Sequence, residues 1–232
     1  MLFSKELINH IIEHTRNHGY NPNIAVIPSH HGGEVGGTLE NKIVSILTLH
    51  HADTFGEIGC GRGNILLRMK LLHQHNQCFG VECMVSRVEQ GHSWWSRIYS
   101  KLLSDANGTS QVINSRRNPQ PPIFIQGDFT EESFWTSNGQ TLFTQRNLKL
   151  FLNNYGDHML NDGTQTKLEL KLDTYCLSGT LIISLSKMFQ YCSSRDSWTE
   201  KNVIHHQIKA GDMSWREGRD GGEIEIYIYQ KY

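Results

Sequence analysis

"FGEIGCGRGN", residues 55 to 64, carries a short apolar run through Glu57 into three glycines, Gly59, Gly61 and Gly63, and then into the apolar series "NILLRMKLLHQH" (64 to 75). A strand that ends in glycines and opens directly onto a helix allows a tight turn and lets a ligand lie against backbone. The E-x-G-x-G-x-G spacing matches nucleotide-type loops, but structural turns of this kind are common and the stretch alone does not define a site. The next segment adds to it. "CFGVEC" (78 to 83) reads as a second strand and puts Glu82 at its carboxyl end, about 20 residues beyond the glycines, where a carboxylate can take both hydroxyls of a ribose. The two together point to a nucleoside-containing cofactor.

The same order continues outward. "MVSRVEQGHSWWSRIYSKLL" (84 to 103) has helical spacing, and "IFIQGDF" (123 to 129), "LKLFLNN" (148 to 154) and "GTLIISLS" (179 to 186) read as further strands, with helices around 131 to 135 and 164 to 172. Alternating strands and helices imply an α/β fold with an open twisted sheet, mostly parallel, and helices on both faces. "NVIHHQIKA" (202 to 210) and "EIEIYIYQKY" (223 to 232) read as a terminal antiparallel pair, because the second alternates with period two. Upstream, 4 to 18 and 38 to 49 read as helices, and the Gly-, Pro- and His-rich 21 to 37 as a loop. The polar, proline-containing stretch 104 to 122 reads as an exposed connection. Residues 1–50 are therefore expected to hold N-terminal helices and a covering loop, and 51–232 the core of a single catalytic unit.

In such a sheet the strands' carboxyl ends line one crevice. The third strand ends in Asp128 and Phe129, an acceptor beside an aromatic, suited to the amino group and face of an adenine. The fourth ends in Asn153-Asn154-Tyr155. These two amides suit a ligand-binding strand end, with a helix cap or an Asx turn as the alternative at this point.

Composition limits the alternatives. The chain has 232 residues, 38% hydrophobic and 19% charged, enough for one large domain. No window approaches the ~20 apolar residues of a membrane span, and Met1 opens onto charged sequence, so a soluble intracellular protein with no membrane partner is expected. Five cysteines form no paired framework, and thirteen histidines sit in no ligand spacing, so neither disulfides nor a metal is expected. A net charge of -1 gives no global basic footprint, which leaves local clusters (Arg62/Arg68/Lys70, Arg116/Arg117, Arg216/Arg219) to hold any anionic partner.

The ordered series "GGEVGG", "EIGCGRGN", "FGVE", "QGDFTEESFW", "LFLNNYG" and "GDMSW" resembles the disruptor-of-telomeric-silencing family, non-SET histone lysine methyltransferases that use S-adenosyl-L-methionine. The resemblance runs from about Val26 to the end of the chain. It implies a class I methyltransferase fold, a nuclear location, and in-line methyl transfer to a lysine in the globular part of a core histone (H-three type) within nucleosomes, with DNA contact through the basic clusters. On matching positions, Glu57, Gly59, Gly61 and Asn64 would lie at the methionine end of the cofactor. Glu82 would take the ribose, Asp128 and Phe129 the adenine, and the loop with Gly33, Glu34 and Val35 would cover it. Asn153 would hold the methionine portion near the methyl group, and Tyr155 and Trp215 would wall the lysine channel. Two features depart from the family. Glu57 stands where it has aspartate, and an acidic, glycine-rich insertion precedes the final strand, so Tyr227, Tyr229, Glu223 or Glu225 could line the channel. The competing readings are a class I methyltransferase of a nucleic-acid base or small amine and a non-catalytic cofactor-binding partner subunit.

Overall fold

The computed structural model describes residues 6–8, 10–12, 35–73, 76–108, 120–154, 163–190, 196–209 and 222–232. Seven strands form one sheet: β1 Thr54–Ile58, β2 Cys78–Glu82, β3 Ile123–Gln126, β4 Leu148–Leu152, β5 Leu181–Ser184, β6 Trp198–Gln207 and β7 Glu223–Lys231. Their spatial order is β3-β2-β1-β4-β5-β7-β6. The first five are mutually parallel, and β7 runs antiparallel to both β5 and β6. The structure agrees with the expected sheet, including its terminal antiparallel pair.

Besides the helical residues 6–8 and 10–12, the helices among the described residues are α1 Gly37–Ile46, α2 Asn64–Leu72, α3 Val85–Gly108, a composite α4 and α5 Thr164–Tyr175. Helix α4 joins Glu132–Phe134, the π-helical turn Trp135–Gly139 and Gln140–Phe143. Two helices outrun the sequence reading. Helix α3 continues to Gly108, because a helix whose apolar face is already seated extends at little cost through polar residues. Helix α4 continues past Trp135 because that indole is fully buried and donates to the Phe129 carbonyl at 2.7 Å, while Phe143 packs against it at a centroid distance of 4.8 Å.

The central strands β1 and β2 are buried along their whole length, as expected where helices cover both faces. Alternation divides their side chains between two cores. One gathers Phe55, Phe151, Ile183, Ile226 and the apolar side of α2 and α3. It also takes in Ile8, Ile11, Ile12, Leu39 and Ile43, so the N-terminal helical residues share the core of the sheet. The other face gathers Ile58, Phe79, Val81, Leu150, Leu152, Ile182 and the aromatics of α4. Each fully buried large apolar side chain contributes on the order of 1.5–3 kcal/mol.

Polar contacts fix both the amino ends of the strands and the N-terminal segment. Asp53 accepts from the His50 amide at 2.7 Å and pairs with Lys149 at 2.8 Å, and the Asn76 amide reaches the carbonyls of His50 and Asp53. Buried Lys70 donates to the Asn76 carbonyl at 2.7 Å. Arg68 pairs with buried Glu40 at 3.0 Å and with Asn41 at 2.6 Å, which joins α2 to α1. This corrects one expectation. Arg68 and Lys70 are buried structural cations and do not form an exposed basic cluster with Arg62, whose guanidinium lies 4.4 Å from the Trp94 ring centre. Arg116, Arg117, Arg216 and Arg219 lie outside the described residues.

Mid-strand glycines in "TFGEI" and "CFGVE" set how closely the layers pack. A Cβ on Gly56 would collide with the Phe79 ring and stand 2.7 Å from Leu150 Cδ2, and one on Gly80 would stand 2.7 Å from both Cys60 Sγ and Leu66 Cδ2. Overpacking of this kind costs about 1–3 kcal/mol. Gly56→Ala is therefore expected to lose stability in that range by urea unfolding, with an unchanged m-value; wild-type stability would show that Phe79 has room to give.

Candidate functional site

The sheet order reverses between β1 and β4, both of which start parallel crossovers to opposite sides. In open parallel sheets the ligand crevice opens at this switch point, outside the strands' carboxyl ends. The register pairs Ile58 with Leu152, so the next residue of each strand, Gly59 and Asn153, flanks the opening. Gly59 has φ 70, and a Cβ placed on it would meet nothing within 4 Å among the described residues. Open space at that position is the form of a cradle for a ligand lying against backbone.

The glycine turn is fastened to β2 at several points. The amides of Gly59 and Cys60 both donate to the Val81 carbonyl, at 2.9 and 3.0 Å, and the Gly61 amide donates to Glu82 Oε2 at 2.9 Å. Gly63 caps α2 with φ 81, and any side chain there would strike the Phe124 ring. Buried Glu57 accepts from the Leu66 amide at 2.9 Å, which ties β1 to the first turn of α2. An acidic acceptor at a helix N-terminus is well placed against the helix dipole. Buried Asn64 donates to the Val35 carbonyl at 3.4 Å, so the start of α2 also holds the segment that leads into α1.

Glu82 is itself buried, with its Oε1 accepting from the Met84 amide at 3.0 Å and from the Cys83 thiol at 3.4 Å. Arg87 Nη1 stands 3.9 Å from Oε2. These contacts fix the carboxylate plane at the end of β2. Beside it, the Gly127 amide donates to the Glu82 carbonyl at 3.0 Å, which sets β3's end alongside. Asp128 Oδ1 accepts from the amide and hydroxyl of Thr130 at 2.8 and 2.7 Å, and half-buried Phe129 follows it. Glu82, the glycine turn, Asp128 and Phe129 thus share the crevice side of β1, β2 and β3.

Toward the other side, the adjacent amides differ. Asn153 is half-buried at the end of β4, whereas Asn154 is buried and bonded to the residues that end β5. In β7, Tyr227 pairs with Ser184 and Tyr229 with Ile182, so Tyr227 is the nearer of the two to the carboxyl ends. Its hydroxyl donates to Glu225, and burial followed by that carboxylate pushes it up to about 12. Tyr229 is packed inward, where its hydroxyl accepts from the Met188 amide at 3.0 Å. Tyr155, Trp215, Gly33 and Glu34 lie outside the described residues.

Sequence reading passed over several supports of the crevice: Gly63 as a left-handed cap and Arg62 against Trp94 at the glycine turn, and Asn154 with Ser184 at the ends of β4 and β5. The glycine count signals the first. The others join residues far apart in the chain and leave no local pattern. Among the described residues, no group of three or more His, Cys, Asp or Glu could hold a metal, and Cys60, Cys78, Cys83 and Cys176 are free thiols.

No family model and no curated protein matches the sequence. Solved structures do. An RNA methyltransferase from Salinibacter ruber in complex with S-adenosyl-L-homocysteine gives a TM-score of 0.51 at 14% identity, over 85% of this chain and 93% of that one. A proposed RNA methyltransferase of Pyrococcus horikoshii gives 0.57 at 12% identity, over 98% and 97%. TrmN from Thermus thermophilus gives 0.51 at 10% identity, over 84% of this chain and 48% of that one. At these identities the likeness establishes the fold: the chain has the Rossmann-like architecture of the class I methyltransferases, as the sheet order also requires. The narrower likeness to the disruptor-of-telomeric-silencing family rests on the sequence motifs.

The crevice electrostatics can be checked at Cys83. Burial, then the Glu82 carboxylate and its hydrogen bond, push this thiol up to about 12. At pH 8 only about one thiol in 10,000 would then be the reactive thiolate. Iodoacetamide followed by peptide mass mapping is expected to label Cys83 far more slowly than free cysteine, and Glu82→Gln to accelerate it. Rapid labelling in the wild-type protein would contradict the placement of Glu82.

Proposed function

We propose that the chain is an S-adenosylmethionine-dependent methyltransferase. The observation that carries this reading is the join between Glu82 and the glycine turn at the switch point, where a buried carboxylate and open backbone face one crevice. The residues fit the cofactor by chemistry. Glu82 keeps acceptor capacity for ribose hydroxyls, Asp128 and Phe129 offer an acceptor and a ring face for adenine, and Gly59 leaves room at the turn. Val35, with Gly33 and Glu34, belongs to the covering segment. Glu57 works through the turn it ties to α2, and Asn64 through the Val35 carbonyl. Asn153 offers an amide that neither titrates nor adds charge beside a cation.

When bound, S-adenosylmethionine supplies a sulfonium methyl open to direct displacement by a nitrogen nucleophile. The chain's own task is then alignment and exclusion of water. An amine acceptor must arrive unprotonated, and an apolar, aromatic wall lowers its pKa by disfavouring the charged form. No residue is assigned as a dedicated base; Tyr155 and Trp215 are proposed as that wall.

For the acceptor, a nucleic-acid base is the reading supported by the structural neighbours, two of which are described as RNA methyltransferases. The Asn-Asn-Tyr-Gly at 153 to 156 is similar to the Asn/Asp-Pro-Pro-Tyr of amino methyltransferases, without its prolines. A nucleosomal histone lysine is the second reading, and a nuclear location goes with it. The ordered motif series, above all "QGDFTEESFW" and "LFLNNYG", favours it.

Transfer of labelled methyl from S-adenosylmethionine to RNA, DNA, free core histones and reconstituted nucleosomes separates these readings. Label on a base supports the first, and label on a histone lysine the second. Binding with no transfer to any of them would favour a non-catalytic partner subunit. In calorimetry, Glu82→Ala should weaken S-adenosylhomocysteine by about tenfold or more, the loss of charged hydrogen bonds of ~1.5–3 kcal/mol. Asn153→Ala should cut transfer by about 10- to 100-fold. Wild-type affinity in the first variant, or wild-type rate in the second, would remove that residue from the site.

A further inference from the structure

Asn153 and Asn154 are chemically identical neighbours with different surroundings. The Asn154 side chain is only 2% exposed. Its Oδ1 accepts three hydrogen bonds, from Ser184 Oγ at 2.8 Å, the Leu185 amide at 3.0 Å and the Ser186 amide at 3.1 Å. Its Nδ2 donates to Gln165 Oε1 at 3.4 Å, and its backbone carbonyl accepts from Ser186 Oγ at 2.7 Å. An amide oxygen with three donors is saturated, so it cannot also serve a ligand.

The bonds continue beyond it. Gln165 Nε2 donates to the Lys187 carbonyl at 2.7 Å and to Glu169 Oε1 at 3.0 Å, and the Met188 amide donates to the Tyr229 hydroxyl at 3.0 Å. Phe189 then sits at φ 58 with its ring stacked on Trp198 at 4.8 Å. Backbone groups of four consecutive residues, 185 to 188, are thus held by the side chains of Asn154, of Gln165 in α5 and of Tyr229 in β7. The turn so held lies at the carboxyl end of β5, next to Tyr227.

We propose that Asn154 is a positioning residue for methyl transfer: it clamps the carboxyl end of β4 to the turn 184–188 and thereby fixes where Asn153 stands relative to that turn. The proposal rests on the methyltransferase reading above. It assigns the two amides separate work, Asn153 toward the crevice and Asn154 beneath it. Glutamine and aspartate at 154 are not equivalent substitutes. Glutamine moves the oxygen by a methylene and breaks the three-donor geometry, whereas aspartate keeps an oxygen for the three donors and loses only the Nδ2 donor that faces Gln165 Oε1.

The test combines amide hydrogen exchange, S-adenosylhomocysteine calorimetry and transfer kinetics on wild type, Asn154→Ala, Asn154→Asp and Ser184→Ala. In Asn154→Ala, exchange at 185 to 188 is expected to rise about tenfold or more while β1 and β2 stay protected. Cofactor affinity should remain near wild type and kcat should fall about 10- to 100-fold. Asn154→Asp should recover protection at 185 and 186, whose amides donate to its retained oxygen, and part of kcat. Ser184→Ala, which removes one of the three donors, should show the same pattern at smaller size and serves if the alanine variant does not fold. Unchanged exchange at 185 to 188, or loss of cofactor affinity in step with kcat, would overturn the clamp. Failure of the wild-type protein to bind S-adenosylhomocysteine would instead overturn the methyltransferase reading, and the exchange data would still decide whether the clamp exists.

Discussion

A hydrogen bond from the Gly61 amide to Glu82 Oε2, 2.9 Å long, joins the turn after β1 to the end of β2. Everything on the crevice side depends on this join being made in a buried setting. The turn needs left-handed backbone at Gly59, Gly61 and Gly63, which leaves its amides exposed to one side and in need of acceptors. A buried carboxylate needs donors in turn, or its charge would be costly. Each satisfies the other, and the pair leaves an ordered anionic group facing open backbone. Glu57 repeats the arrangement one strand over, with the Leu66 amide as donor, so the turn is held at its start and at its helix.

This coupling explains why the fold could be read from so few residues. Gly-rich turn, acidic strand end and period-two tail are all local patterns, and they indicate a mostly parallel sheet with an antiparallel end, whereas the order β3-β2-β1-β4-β5-β7-β6 is visible only in the folded chain. The β6/β7 pair was legible because "EIEIYIY" places one face of the sheet on Ile224, Ile226 and Ile228 and the other on Tyr227 and Tyr229. The start of β6 was not, since Trp198 owes its place to stacking on Phe189, a contact no periodicity announces. The extension of α4 has the same cause: the Trp135 indole reaches the Phe129 carbonyl, and the π-turn brings Trp135 and Gly139 both inward.

The candidate site was legible in part for the same reason. Glu82, Gly59, Asp128 and Asn153 all stand at strand ends, and their places follow from the sheet. Charge clusters are different, because sequence proximity says nothing about exposure. Arg68 and Lys70, two residues apart, point into the protein at a buried ion pair and a buried carbonyl, so any anionic partner would have to be met elsewhere. Likewise the distinction between Asn153 and Asn154 depends on Ser184 and Gln165, which only the folded chain brings near.

The central claim is that a nucleoside cofactor lies at the β1/β4 switch point against the glycine turn. It is tested most directly by titrating S-adenosylhomocysteine into protein labelled with nitrogen-15 at glycine and following the amide signals. The account predicts that Gly59, Gly61, Gly63 and Gly127 shift together and saturably, while Gly179, before β5 at the opposite end of the sheet, stays in place. Shifts centred on Gly179, or none at the turn at saturating ligand, would contradict it.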